Sequence, residues 1–127
     1  MPHARLEHVN VRVSDPDRTS AFLAELTGWR ERWRGPAIDN GWTIHLGSEF
    51  DYVALYQHPD PVAVPFPKGN PLQHIGLVLD DLDAAEKLVI AAGYVPFSHA
   101  NYDPGRRFYF YDHDGIEWEL ISYAPNP

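Results

Sequence analysis

The chain contains no cysteine. That excludes a disulfide framework, thiolate metal ligands and a cysteine nucleophile, and it fits a reducing cytoplasm. Long apolar runs are missing too, so no segment is expected to cross a bilayer, and the opening MPHARLEH lacks the pattern of a signal peptide. Basic residues are scarce: 10 against 18 acidic side chains leave a net charge of -8, which argues against a general nucleic-acid binder. What is present is a globular composition, 44% apolar with four tryptophans over 127 residues, enough for one domain with a real core.

Two segments answer each other along the chain. LEHVNVRV at residues 6–13 and LQHIGLVL at 72–79 both alternate, and each carries its histidine in the third place. The repeat continues beyond them. Asp15-Pro16 predicts a helix start, with Phe22, Leu23 and Leu26 on one face and Gly28 as the stop. In the second copy Asp81 caps, Ala85, Leu88, Val89 and Ala92 follow helical spacing, and Gly93 ends the helix. Three strands are expected after each helix: 29–34, 41–47 and 51–57, then 94–99, 107–112 and 116–123, with DHDG at 112–115 as the last turn. Five prolines make residues 58–71 a stiff connector. The expected architecture is α+β, a single domain of two βαβββ modules (about 4–57 and 72–124) whose curved mixed sheets enclose a cavity.

Strand parity assigns faces. Val9, Val11 and Val13 should pack under the first helix while His8, Asn10 and Arg12 point away. Ile75, Leu77 and Leu79 do the same in the second module, with His74 on the opposite side. In the last strand Ile116, Trp118 and Leu120 form one row, and Glu117, Glu119 and Ile121 the other. Two histidines and at least one glutamate therefore leave the sheets on their helix-free faces. Glu117 reads as a solvated edge carboxylate, and His3, His58, His99 and His113 as residues of a terminus or turns.

EHVNVRV, QHIGLVLDDLDAA and FYFYDHDGIEWELIS, placed in register, resemble the vicinal oxygen chelate superfamily, the glyoxalase, bleomycin-resistance and extradiol dioxygenase group. The resemblance implies metal ligation by His8, His74 and Glu119, a 2-His-1-carboxylate set that leaves positions open for substrate and suits one divalent ion (Fe, Mn, Ni, Co or Zn). Where glyoxalase I carries a further carboxylate this chain has Ala54, which argues against that activity. The resemblance further implies Tyr109 as a catalytic hydrogen-bond donor beside the metal, while strand position adds His45 as a proton-handling, catalytic candidate and Asn10, Arg12, Tyr56 and Arg107 as substrate contacts.

Two functions stay open. One is a metal-dependent enzyme on a small oxygen-bearing substrate: an isomerase or lyase, an extradiol dioxygenase or a fosfomycin-resistance-type transferase. The other is a non-catalytic drug- or metabolite-binding protein of the bleomycin-resistance type, its Trp29, Trp33, Trp42 and Tyr56 suited to a cationic ligand. The expected partners are a small molecule and a second copy of the chain, in a cytoplasmic homodimer with shared sites, without nucleic acid or membrane.

Overall fold

The computed structural model describes residues 5–60, 72–102 and 105–123. The chain divides into two compact units, Met1–Val62 and Ala63–Pro127. Most of the proline-rich connector, from residue 61 on, lies outside the described residues.

In the first unit β1 (His8–Arg12) leads into α1 (Pro16–Thr27), followed by β2 (Arg30–Ala37), β3 (Gly41–Gly47) and β4 (Tyr52–Gln57). The sheet order is β1-β4-β3-β2, with β1 parallel to β4 and the other pairs antiparallel. The helix begins as its sequence dictates: the Asp15 carboxylate accepts the Arg18 N–H at 3.1 Å, and Pro16 occupies the first turn. It ends where Gly28 takes φ +75°, a left-handed turn that glycine adopts without a Cβ penalty. Leu23 and Leu26 are buried beside Val11, Val13, Leu46 and Leu55, whereas Phe22 and Val9 are only half-buried.

The second unit repeats this plan with β5 (Ile75–Val78), α2 (Leu82–Ala91), β6 (Phe97–Tyr102), β7 (Gly105–Tyr111) and β8 (Glu117–Ser122). Its order is β5-β8-β7-β6, again with the first and last strands parallel. Asp81 caps α2 by accepting the Ala84 N–H at 3.0 Å, and Gly93 follows the helix at φ +92°. Leu82, Ala85 and Val89 are buried, but Ala92, expected on that face, is exposed because the helix has already ended.

Two strands differ most from expectation. β2 runs on through Gly35-Pro36, which an edge strand tolerates because the proline need not donate to a second neighbour. β6 starts only after Pro96 and is bulged between Phe97 and Ala100, as β2 is between Glu31 and Trp33. Bulges on these two edge strands, one in each sheet, blunt further pairing there. His99 consequently sits in β6, paired with Glu86 at 2.8 Å, and not in a turn.

The β7–β8 turn is organised by Asp112. Its carboxylate accepts the Trp118 indole N–H at 3.0 Å and the backbone N–H groups of Asp114 and Ile116 at 2.9 and 3.1 Å. Burial pushes the Asp112 carboxyl up, and these three donors oppose that by favouring its charged form. Replacing the side chain by alanine would strand a buried indole N–H and two amides. Asp112→Ala should therefore lower stability by about 3 kcal/mol in denaturant titrations, given roughly 1–3 kcal/mol for each buried donor left unsatisfied.

Candidate functional site

The helix-free face of the second unit gathers its polar residues into one line. β5 lies beside β8 with Gly76 opposite Glu119, so His74, two residues earlier, comes level with the start of β8. Its Nε2 stands 3.0 Å from Glu119 Oε1 and its Nδ1 3.4 Å from Glu117 Oε2. The other glutamate oxygen, Glu119 Oε2, accepts from Arg107 Nη1 at 3.0 Å, and Arg107 also donates to the Gly105 carbonyl. The side chains of Arg107 and Glu119 are only 11% and 12% exposed, so each charge depends on the other. Tyr109, opposite Glu119 on β7, meets the His74 ring edge-on with centroids 5.6 Å apart and stacks on Phe97 from the other side.

Beside this line opens a cavity of about 540 Å³, whose lining includes Gln73, His74, Phe97, Ser98, Tyr109 and Glu117. Ser98 has φ +55° within the β6 bulge, a left-handed conformation that turns the edge strand locally out of register. Glu117 is not the solvated carboxylate its sequence position suggests: its side chain is 4% exposed. Alternation predicts the face a residue takes, and burial on that face depends on what long side chains cover it.

The matching face of the first unit is built differently. His8 stacks on Tyr52 at 4.8 Å, Tyr52 on His45 at 4.5 Å, and His45 meets Trp33 at 5.2 Å. The Arg32 guanidinium lies 4.5 Å from the Tyr52 ring centre. His8 Nδ1 is 2.8 Å from Glu7 Oε1. Asn10 is exposed on this face, while Arg12 donates to the Asp60 carbonyl and Tyr56 to the Ile38 carbonyl. Tyr52 was not singled out in the sequence, although it shares parity with Tyr56 and pairs directly with His8.

The two registers show how far the duplication extends. Asn10, two residues after His8, faces Ala54, and Gly76, two residues after His74, faces Glu119. Ala54 therefore holds the place of Glu119. His45 pairs with Ala54 as Tyr109 pairs with Glu119, which makes those two equivalent as well.

Whether these groups suit a metal ion can be judged within the second unit. Cis donors on an octahedral ion with bonds of roughly 2.1 Å stand about 3.0 Å apart. The 3.0 Å between His74 Nε2 and Glu119 Oε1 matches that edge. Arg107 occupies Oε2, so the carboxylate offers a single oxygen. Among the described residues no group of three or more His, Asp and Glu side chains is gathered as a metal site. The second unit thus brings together two groups of donor type, His74 and Glu119.

Comparison with known proteins bears on this arrangement. The family model of the Glyoxalase/Bleomycin resistance protein/Dioxygenase superfamily matches residues 5–120. The chain belongs to that superfamily. No curated protein matches it. Among solved structures it resembles a glyoxylase/bleomycin resistance protein/dioxygenase domain from Frankia sp. EAN1pec, with TM-score 0.81, 21% identity, and 95% and 98% of the two chains covered. It also resembles a fosfomycin resistance protein of Listeria monocytogenes complexed with Mn(II) and sulfate, with TM-score 0.71, 19% identity, and 98% and 95% covered. TioX from Micromonospora sp. ML1 is a third such structure, with TM-score 0.66, 22% identity, and 94% and 99% covered. At these identities the likeness is one of fold.

Burial holds the His45 imidazole below its ordinary value of 6.5, and nearby His8 and Arg32 push the same way against Glu7. The unfolded chain takes up a proton at the ordinary value while the native His45 does not, so acidification through that range favours unfolding. Stability should fall from about pH 7.5 to about 5.5, and His45→Gln should lose less across the same interval. Denaturation midpoints of both proteins at the two pH values measure the difference.

Proposed function

We propose that this chain is a divalent-metal-dependent enzyme acting on a small oxygen-bearing substrate, with His8, His74 and Glu119 as the metal ligands. The observation that carries this reading is the convergence of His74 Nε2 and Glu119 Oε1 at the spacing of two metal ligands. Family membership and the Mn(II) held by a structural relative support it. When bound, a divalent ion supplies Lewis-acid polarisation and positive charge for adjacent substrate oxygens.

The chain's own residues divide the remaining tasks. Arg107 fixes the Glu119 carboxylate through one oxygen and leaves the other directed at His74. Tyr109, clamped between Phe97 and His74, offers a phenol donor to a substrate oxygen and can stabilise negative charge there. His45, kept neutral by burial, suits the part of proton acceptor. Asn10, Arg12 and Tyr56 line the first unit's face as substrate contacts, the last two steadied by their bonds to backbone carbonyls. Ala54 leaves the first unit without the carboxylate of its duplicate, which argues for open coordination positions and against glyoxalase I chemistry.

A second reading, a metal-free binding protein, is favoured by one observation: Arg107 already neutralises Glu119. Calorimetric titration of tag-free, chelator-free protein with Mn(II) separates the two. The enzyme reading expects one ion per chain, and a loss on Glu119→Gln beyond the roughly 10- to 100-fold typical of outer-sphere partners. No uptake by the wild type supports the binding protein.

The proposal includes a cytoplasmic two-fold dimer in which each site takes His8 from one chain and His74 and Glu119 from the other. Mixing His8→Ala with Glu119→Ala under subunit exchange should then restore one metal position per heterodimer, since both lesions fall in the other site. A mixture that exchanges and regains no metal contradicts sharing.

A further inference from the structure

Glu117 has no part in the ligand set, yet it is among the most deeply buried carboxylates described, with a side chain 4% exposed. A charged group is seldom kept there without a partner that needs it. One of its partners is His74. The imidazole lies between two glutamates, with Nδ1 3.4 Å from Glu117 Oε2 and Nε2 3.0 Å from Glu119 Oε1. One ring can offer only one of its nitrogens to the ion that Glu119 also binds, and that nitrogen is Nε2. For Nε2 to present a lone pair, the proton of the neutral ring must sit on Nδ1. Resting on the ligand reading above, we infer that Glu117 is a positioning residue: it accepts the Nδ1–H of His74 and so fixes the tautomer and ring orientation that turn Nε2 toward the ion.

The first unit repeats the device independently. His8 Nδ1 lies 2.8 Å from Glu7 Oε1, so both candidate ligand histidines have a carboxylate at the same nitrogen. The two copies differ in depth, because the Glu7 side chain is 67% exposed and water competes for its charge.

The test is Mn(II) titration of the full tag-free chain, wild type and variants, with nitrogen-15 spectra of the histidines in the Zn(II)-loaded protein. Glu117→Ala should weaken Mn(II) by roughly 10- to 100-fold, whereas Glu117→Gln, whose amide oxygen still accepts from Nδ1, and Glu7→Ala should stay within about threefold. The wild-type spectrum should show His74 with its proton on Nδ1 and Nε2 bound. Glu117→Gln should speed exchange of that proton at least about tenfold as the acceptor loses its charge, a signature independent of whether the alanine variant folds. Wild-type affinity in Glu117→Ala, or unchanged exchange in Glu117→Gln, overturns the role of Glu117 while leaving His74 and Glu119 as ligands. Equal Mn(II) affinity in wild type and Glu119→Gln removes the ligand reading, and this inference with it.

Discussion

The parallel pairing of the first and last strands within each unit is the constraint on which the candidate site depends. Side chains alternate along a strand, so a slip of one residue would carry the histidine or the glutamate to the helix side. In the second unit the register is held from both ends. Trp118 and Leu120 are fully buried, and Asp112 ties the Trp118 indole to the turn that starts β8. With Gly76 fixed opposite Glu119, His74 has carboxylates within reach of both ring nitrogens. The helix-side packing thus decides the chemistry of the opposite face.

Duplication supplied two copies of this frame, and they have diverged in character. One face is largely aromatic, a stack of His8, Tyr52, His45 and Trp33 with Ala54 where a carboxylate would fall. The other is ionic, a line of Arg107, Glu119, His74 and Glu117. The first offers aromatic surface, and the second charged nitrogen and oxygen donors. Buried charges are costly, and the second face keeps them only because each has a partner.

Much of the fold was legible because its signals are local. Asp15, Pro16, Gly28 and Asp81 act at their own helix ends, and the alternation of LEHVNVRV and IEWELIS needs no distant partner to assign a face. Strand ends were less legible, since the run of β2 through Gly35-Pro36 depends on its edge position in the sheet. The Arg107–Glu119 pair and the burial of Glu117 are cross-strand facts, invisible to a reading along one strand. For Glu117 there was a signal: two residues before Glu119, it had to share that side chain's face. Parity located it, but nothing in the alternation showed that it lies under the surface beside His74.

The central claim is that His74 and Glu119 bind one ion. An anomalous-scattering map from crystals of the tag-free protein soaked in Mn(II) tests it most directly. The account predicts a peak within about 2.4 Å of both His74 Nε2 and Glu119 Oε1, with the Glu119 carboxylate bound through one oxygen and Arg107 still on the other. A map without density at that edge, from crystals in which His74 and Glu119 are ordered and Mn(II) is in excess, would contradict it.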